Sequence, residues 1–244
     1  GALATSDVVM TFFFLAAVTT WWRHLEQPGF GGAALSATVL GLSCVSKFSA
    51  VILGPIFALI AVVWFAGRVQ PDGWRAPLLR LARSTAAHVV AAGAIIWVFY
   101  GLRFEAFAPA LADGASFNHG WGWILQDMGW PRTLFIQLRA WQALPDAFLY
   151  GSAFVLQFSQ QRGAFLNGDY SLTGWISFFP YTFVAKTTLP FLLLILVGVV
   201  AGFRSVKASG IRTVLTHLRP FTPLLILFGV YWAAQSSHRW RQST

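Results

Sequence analysis

Cysteine and charged residues are scarce in this chain of 244 residues. Cys44 is the only cysteine and lies in an apolar run, which excludes disulfides and cysteine-ligated metal sites. Only 10% of the residues are charged, against about 25% in a typical soluble domain. Hydrophobic residues make up 57%, and the mean hydropathy is +0.63. The composition therefore predicts a polytopic membrane protein.

Acidic residues are also few relative to basic ones. The chain has 17 Lys and Arg against 8 Asp and Glu, a formal net charge of +9. The basic residues are spread over loops between apolar runs, which is typical of membrane topology, so no nucleic-acid partner is expected. The five histidines lack the paired spacing of a structural metal site. Many of the 12 tryptophans stand near the ends of apolar runs, as interfacial anchors do.

Six apolar segments have the length and composition expected of membrane-spanning helices, although the second is short. They cover residues of about 7–22, 31–46, 49–67, 85–101, 182–203 and 220–236. We therefore predict an all-α transmembrane helix bundle in which residues 1–244 form part of one transmembrane domain. The sequence therefore implies membrane lipid as a partner.

The basic residues of the short loops predict the orientation of the bundle. Lys47 stands alone on one side, whereas the other side, which is predicted to be cytoplasmic, receives Arg23, Arg68, Arg75, Arg80, Arg83, Arg204, Lys207, Arg212 and Arg219. The stretch 102–181 is then a large outer loop. Its apolar segment 145–158 is too short to span a membrane, and we expect a short helix there, in the interface or packed on the bundle.

Lys186 is the only charge in a long apolar run that ends at Arg204. An ammonium group costs about 2.5–3.5 kcal/mol at a bilayer centre and marks a functional site by default. A helix from Lys186 to Arg204 rises about 27 Å, close to the ~30 Å hydrocarbon thickness, which places Lys186 at one membrane face. Thr187 and Thr188 are good N-caps, and Pro190 suits a first helical turn. A helix N-terminus beside a lysine predicts an anion site, and phosphate is the obvious anion.

Lys47 repeats this pattern, because Ser49 and an apolar segment running to Arg68 follow it. Asp7 opens the first apolar run at the same face. One acid and two lysines at one surface predict a site for a lipid phosphate, with the lipid tail on the apolar bundle. Structural interpretations stay open: Asp7 as a simple N-cap, Lys47 as a lysine that snorkels to the headgroups.

Three stretches resemble, in order, the membrane-embedded GT-C glycosyltransferases. The similarity is to the group related to dolichyl-phosphate-mannose protein mannosyltransferases and bacterial aminoarabinose transferases. The first two stretches are ATSDVVMTFFFLAAVTTWWR and GLSCVSKFSAVILGP. The third covers residues 144–190 and includes GW at 174–175, FFP at 178–180 and KTTLP at 186–190. The resemblance spans nearly the whole chain.

The resemblance implies a glycosyltransferase that moves a sugar from a polyprenyl-phosphate donor, with inversion at the anomeric carbon. Its acceptor would be a glycan, a lipid or a protein at the outer face of the plasma membrane, which is the inner membrane in a bacterium. No cofactor is certain, and the need for a divalent metal is left open. In this interpretation Lys47 and Lys186 bind the lipid phosphate, and Asp169, Tyr170 and Trp175 are candidates for substrate binding.

Asp7 matches the second acidic position of this family and is the candidate catalytic residue of the chain. The principal catalytic acid of the family lies in the first outer loop, which would precede Gly1. We therefore interpret the chain as an internal fragment and expect residues 1–244 to be inactive alone. Two alternatives stay open. One is a transporter or flippase for a lipid-linked or anionic substrate, and the other is a non-catalytic membrane subunit.

Overall fold

The computed structural model describes residues 6–68, 73–107, 116–158, 164–171, 175 and 177–236. For a few of these residues, Asp7 among them, it describes the backbone alone. Two compact units are present, unit 1 (Gly1–Gln160) and unit 2 (Gln161–Thr244). Both are largely helical, in agreement with the predicted class.

Unit 1 contains seven α-helices within its described residues. They are α1 (Ser6–Glu26), α2 (Phe30–Ser46), α3 (Leu53–Ala66), α4 (Arg75–Phe99), α5 (Trp121–Ile124), α6 (Pro131–Ala140) and α7 (Asp146–Phe158). A 3-10 helix (Phe48–Ile52) leads directly into α3. The predicted short helix over 145–158 is confirmed by α7.

Among the described residues, four helices are long and apolar enough to cross a membrane, which indicates a membrane protein. They are Val8–Glu26, Phe48–Ala66, Arg75–Phe99 and Leu189–Ala208. The helices at the other two predicted spans are shorter, because α2 has 17 residues and α11 (Thr222–Ser236) has 15. A straight span needs about 20 residues.

Helix α4 begins at Arg75, ten residues before the predicted start of its span at residue 85. The first three turns carry Arg75, Arg80 and Arg83. These charged residues lower the local hydropathy, so the apolar segment in the sequence starts later than the helix does. The aliphatic stem of an arginine can lie along apolar surface while its guanidinium reaches water. Arginines are therefore compatible with a helix that extends beyond its apolar segment.

Helices α1, α3 and α4 come together at one end of unit 1. Arg80 Nη2 donates a hydrogen bond to the Leu25 carbonyl at 2.5 Å, and Arg68 pairs with Glu26 at 2.9 Å. The end of α1, the end of α3 and the start of α4 therefore lie together, as the predicted grouping of Arg68 and Arg80 requires. Trp21 and Trp64 are buried near this end, so these two tryptophans are core residues.

The second half of unit 1 packs its own apolar cluster. Helices α5, α6 and α7 bury Ile124, Leu125, Met128, Phe135, Leu149, Tyr150 and Ala153. Arg139 at the end of α6 donates through Nε to Asp146 Oδ1 at 2.7 Å, which ties α6 to the first turn of α7. Phe148 of α7 contacts the rings of Phe48 and Tyr100, so α7 packs on the bundle rather than standing apart from it.

Unit 2 starts with a hairpin and continues as helices. Its elements are β1 (Ala164–Leu166), β2 (Asp169–Ser171), α8 (Phe178–Lys186), α9 (Leu189–Ser209), α10 (Ile211–Leu218), a 3-10 turn (Arg219–Phe221) and α11. Asn167 and Gly168 join the antiparallel strands with φ of 52° and 99°. Asn-Gly is the preferred pair for such two-residue turns. The hairpin departs from the all-α prediction, which passed over this turn signal.

Candidate functional site

Lys47 stands at the junction between α2 and the 3-10 helix of unit 1. Its backbone is extended, with φ of −160° and ψ of 134°, so α2 ends here and the chain reverses. The Lys47 carbonyl accepts a hydrogen bond from the Ala50 N–H at 2.9 Å, which starts the 3-10 helix. The residue is half-buried. The backbone of Lys47 therefore lies where it was predicted, at the beginning of an apolar helix.

Ser49 does not act as the N-cap that its position suggested. No side-chain capping bond is made at this helix start, and the Ser49 hydroxyl lies 3.1 Å from the sulfur of Met10. That contact joins the Lys47 junction to the first turns of α1. Met10 follows Asp7 by three residues on α1, so Asp7 begins its helix at the same end of unit 1 as Lys47. The Asp7 side chain lies outside the described part of the chain.

A cavity of about 640 Å³ opens next to this junction. Its lining is almost wholly apolar and includes Phe48, the residue after Lys47, although Lys47 itself is not a lining residue. Helices α2, α3, α4, α6 and α7 all contribute, with Cys44, Leu53, Trp97, Leu138 and Phe148 among the lining residues. Such an apolar volume suits a hydrocarbon chain, and the chain neighbour of one of its lining residues is a lysine, which could bind an anionic head.

Lys186 belongs to unit 2 and occupies the last turn of α8, where it is exposed. The predicted span from residue 182 to 203 is wrong at its start, because α8 ends at Lys186 and α9 begins at Leu189. Thr188 is the N-cap residue of α9 and Pro190 lies in its first turn, as predicted, although Thr188 makes no side-chain capping bond. Lysine is favoured near a helix C-terminus, where it faces the negative end of the dipole.

The three candidate substrate-binding residues precede Lys186 in unit 2. Asp169 and Tyr170 are exposed on β2, and the Trp175 carbonyl accepts a hydrogen bond from the Phe178 N–H at the start of α8. The Tyr181 hydroxyl lies 2.8 Å from Asn167 Oδ1, which connects α8 to the hairpin turn. The hairpin and the helix that carries Lys186 are thus joined within one unit.

The sequence-based candidates fall into two groups. Asp7 and Lys47 lie at one end of unit 1, and the hairpin residues lie with Lys186 in unit 2. Among the described residues, no three His, Cys, Asp or Glu side chains are grouped in a way that could hold a metal ion.

The structure also brings together polar residues that sequence reasoning did not select. His24 and His88 are 64 positions apart, yet their ring centroids are 5.3 Å apart, and both rings are buried. Ser84 lies between them, with its hydroxyl 2.5 Å from His24 Nε2. Arg80 lies one helical turn before Ser84. No spacing rule marks such a pair, because its members come from two different helices.

Unit 1 therefore has a half-buried lysine at one end, next in sequence to a lining residue of an apolar cavity, and a buried histidine pair at the other end. Comparisons of the chain with protein-family models, with curated proteins and with solved structures give no match. Residues and geometry are accordingly the basis for any statement about function.

Proposed function

We propose that the protein is a membrane glycosyltransferase that takes its sugar from a polyprenyl-phosphate donor at the Lys47 end of unit 1. The observation that carries this proposal is the apolar cavity of about 640 Å³, one of whose lining residues, Phe48, directly follows the half-buried Lys47. A polyprenyl phosphate is a long hydrocarbon with an anionic end, so it needs apolar volume and a cation side by side. The motif resemblance supports the same donor class.

In the proposed reaction, the bond between the anomeric carbon and the phosphate oxygen breaks as the acceptor oxygen bonds to that carbon. The electron pair of the broken bond stays on the phosphate, whose extra charge the Lys47 ammonium stabilises. The proton of the acceptor hydroxyl passes to a carboxylate acting as general base. Asp7, which lies in the first turn of α1 at this end, is the candidate of this chain for the acceptor side. A single displacement of this kind inverts the anomeric carbon.

The residues of unit 2 stay sequence-based candidates for the same chemistry. Lys186 would add a second ammonium for the donor phosphate, and Asp169, Tyr170 and Trp175 would contact the sugar or the acceptor. The proposed location is the outer face of the plasma membrane, with a protein, a lipid or a glycan as acceptor.

The direct test is Lys47→Gln in the full-length protein, assayed in membrane vesicles with a panel of radiolabelled polyprenyl-phosphate sugars. Loss of one charge-assisted hydrogen bond should lower kcat/KM for the donor roughly tenfold or more. Lys207→Gln is the matched control, because it removes an exposed lysine of unit 2 at the last turn of α9. Equal activity of the Lys47→Gln variant and the wild type would remove Lys47 from the site.

A second variant tests the cavity separately from the charge. Ser152 lines the cavity from α7, and Ser152→Leu should narrow it. The variant should raise KM for a long polyprenyl donor and leave a short prenyl-phosphate donor nearly unaffected. An equal effect on both donors would contradict a tail-binding role. Movement of the intact lipid-linked sugar across the vesicle bilayer, with no transfer to any acceptor, would favour the flippase alternative instead.

A further inference from the structure

A second cavity, of about 480 Å³, lies where α1 ends and α4 begins. It is lined in part by His24 of α1, Ala33 of α2, and Arg80, Arg83, Ser84 and His88 of α4. Along α1, His24 is 14 residues beyond Met10, which contacts the Lys47 junction, so the two ends are about 21 Å apart. This cavity is therefore separate from the proposed donor site.

The two histidines of this cavity each keep one ring nitrogen unpartnered. His24 Nε2 lies 2.5 Å from the Ser84 hydroxyl, and His88 Nδ1 donates to the Ser84 carbonyl at 2.8 Å. The other nitrogens, His24 Nδ1 and His88 Nε2, have no hydrogen-bond partner among the described residues. Only 8% of His24 and 2% of His88 is exposed. Both nitrogens are enclosed by neighbouring atoms, so the two rings form a buried polar cluster in the wall of the cavity.

Positive charge is concentrated at the same cavity. Arg80 and Arg83 are three residues apart on α4 and therefore share a helix face. Arg80 is half-buried over the Trp64 ring and uses one donor on the Leu25 carbonyl, which leaves other guanidinium donors for a ligand. Arg83 is exposed. No Asp or Glu occurs among the described lining residues, and the nearby Glu26 pairs with Arg68.

We infer that this cavity binds a phosphate group, and that the group is the headgroup of an anionic phospholipid. Guanidinium forks match phosphate oxygens in shape and charge, and Arg80 and Arg83 both line this cavity. Ala33 and Leu79 supply apolar lining for the first atoms of the lipid tails. Basic cavities between helices at the cytoplasmic face suit anionic lipids, and the arginine pattern predicts that face here.

Native mass spectrometry of the full-length protein in detergent tests this inference. The protein is titrated with an equimolar mixture of phosphatidylglycerol and phosphatidylcholine, and, in a separate arm, with inorganic phosphate. The wild type should retain phosphatidylglycerol in preference to phosphatidylcholine. Arg83→Gln should weaken that retention roughly tenfold, the loss expected for one charge-assisted contact. Ala87→Leu should weaken it by narrowing the cavity, of which Ala87 is a lining residue.

Arg75→Gln is the matched control, since Arg75 lies on the same helix but stacks on Trp74 and does not line the cavity. Because Arg83 and Ala87 are exposed, their variants should fold, which unchanged elution from a sizing column would verify. An equal loss of phosphatidylglycerol binding in the Arg75→Gln variant would contradict binding at this cavity, because it would show that the lipid responds to positive surface charge in general. Binding of inorganic phosphate with no preference between the lipids would overturn the lipid source.

Discussion

The ring of Phe48 lies directly against the backbone of Gly151. A Cβ atom built at Gly151 would stand 2.6 Å from Cε2 and 2.7 Å from Cε1 of that ring, closer than real Cβ contacts. Glycine at 151 therefore lets α7 approach the junction that carries Lys47. A helix about 100 residues further along the chain thus packs against the residue that follows Lys47 and contributes to the cavity wall.

Gly151→Ala should consequently destabilise unit 1. The added methyl group must displace the Phe48 ring or push α7 away, and such overpacking typically costs about 1–3 kcal/mol. Thermal unfolding of the purified protein in detergent measures the change. Gly198→Ala is the control, because Gly198 lies in α9 with nothing within 4 Å of its Cβ position. That variant should be neutral or more stable, by up to about 1 kcal/mol from helix propensity. An unfolding temperature unchanged by Gly151→Ala would contradict the close approach.

Arg139→Gln should also lower stability. Asp146 is only 7% exposed, and its carboxylate accepts a 2.7 Å hydrogen bond from Arg139. Removing the partner of a buried charged group costs about 1–3 kcal/mol, and the half-exposed guanidinium places the expected effect at the lower end. Arg132→Gln, an exposed arginine on the same helix, is the control. The double variant with Asp146→Asn should lose less than the sum of the single losses, and strict additivity would show that the pair is not coupled.

Lys186→Ala should weaken donor use sharply if this lysine binds the donor phosphate. The expected loss in kcat/KM is roughly tenfold or more, and it should appear with every polyprenyl-phosphate sugar that the enzyme accepts. The vesicle assay that is used for Lys47 measures it. Lys207→Ala, which removes an exposed lysine from the other end of α9, should leave the kinetics unchanged. Unchanged kinetics in Lys186→Ala would restrict the phosphate site to unit 1.

Positions 47 and 186 should be accessible from the same side of the membrane. Lys47→Cys and Lys186→Cys, each introduced with Cys44→Ala, should react with a membrane-impermeant maleimide added to intact cells. Arg75→Cys should react only after permeabilisation, because the arginines at the start of α4 mark the opposite face. If positions 47 and 186 are labelled from opposite sides of the membrane, the two lysines cannot bind the same phosphate group, and that hypothesis is wrong.

Local signals in the sequence predicted some elements well and others poorly. The Thr188 and Pro190 pair predicted the start of α9, because capping and proline preferences act within one turn. The start of α4 at Arg75 escaped detection, since charged residues on an extended membrane helix lower the hydropathy on which span limits depend. The sequence did not reveal α8 as a separate helix that ends at Lys186, because the residues on both sides of the break are apolar.

The sites show the same contrast. The position of Lys47 at a helix start could be predicted, since its helix context is local, and its role as a phosphate ligand stays a prediction. The apolar cavity could not be predicted, because its walls come from five helices whose packing depends on contacts such as Phe48 with Gly151. The pairing of His24 with His88 depends on which faces of α1 and α4 meet, and such long-range contacts leave no periodic signal in one sequence.

The hydrogen bond from Arg80 to the Leu25 carbonyl also bears on how the protein is made. Leu25 is one of the last residues of α1, where carbonyl groups have no partner within the helix. Its donor is 55 residues downstream, so the ribosome must synthesise two further helices before this carbonyl acquires that partner. Until then, translocon, lipid headgroups or water must solvate the exit end of the first helix. The end of α1 therefore acquires this hydrogen bond only after the start of α4 has been synthesised.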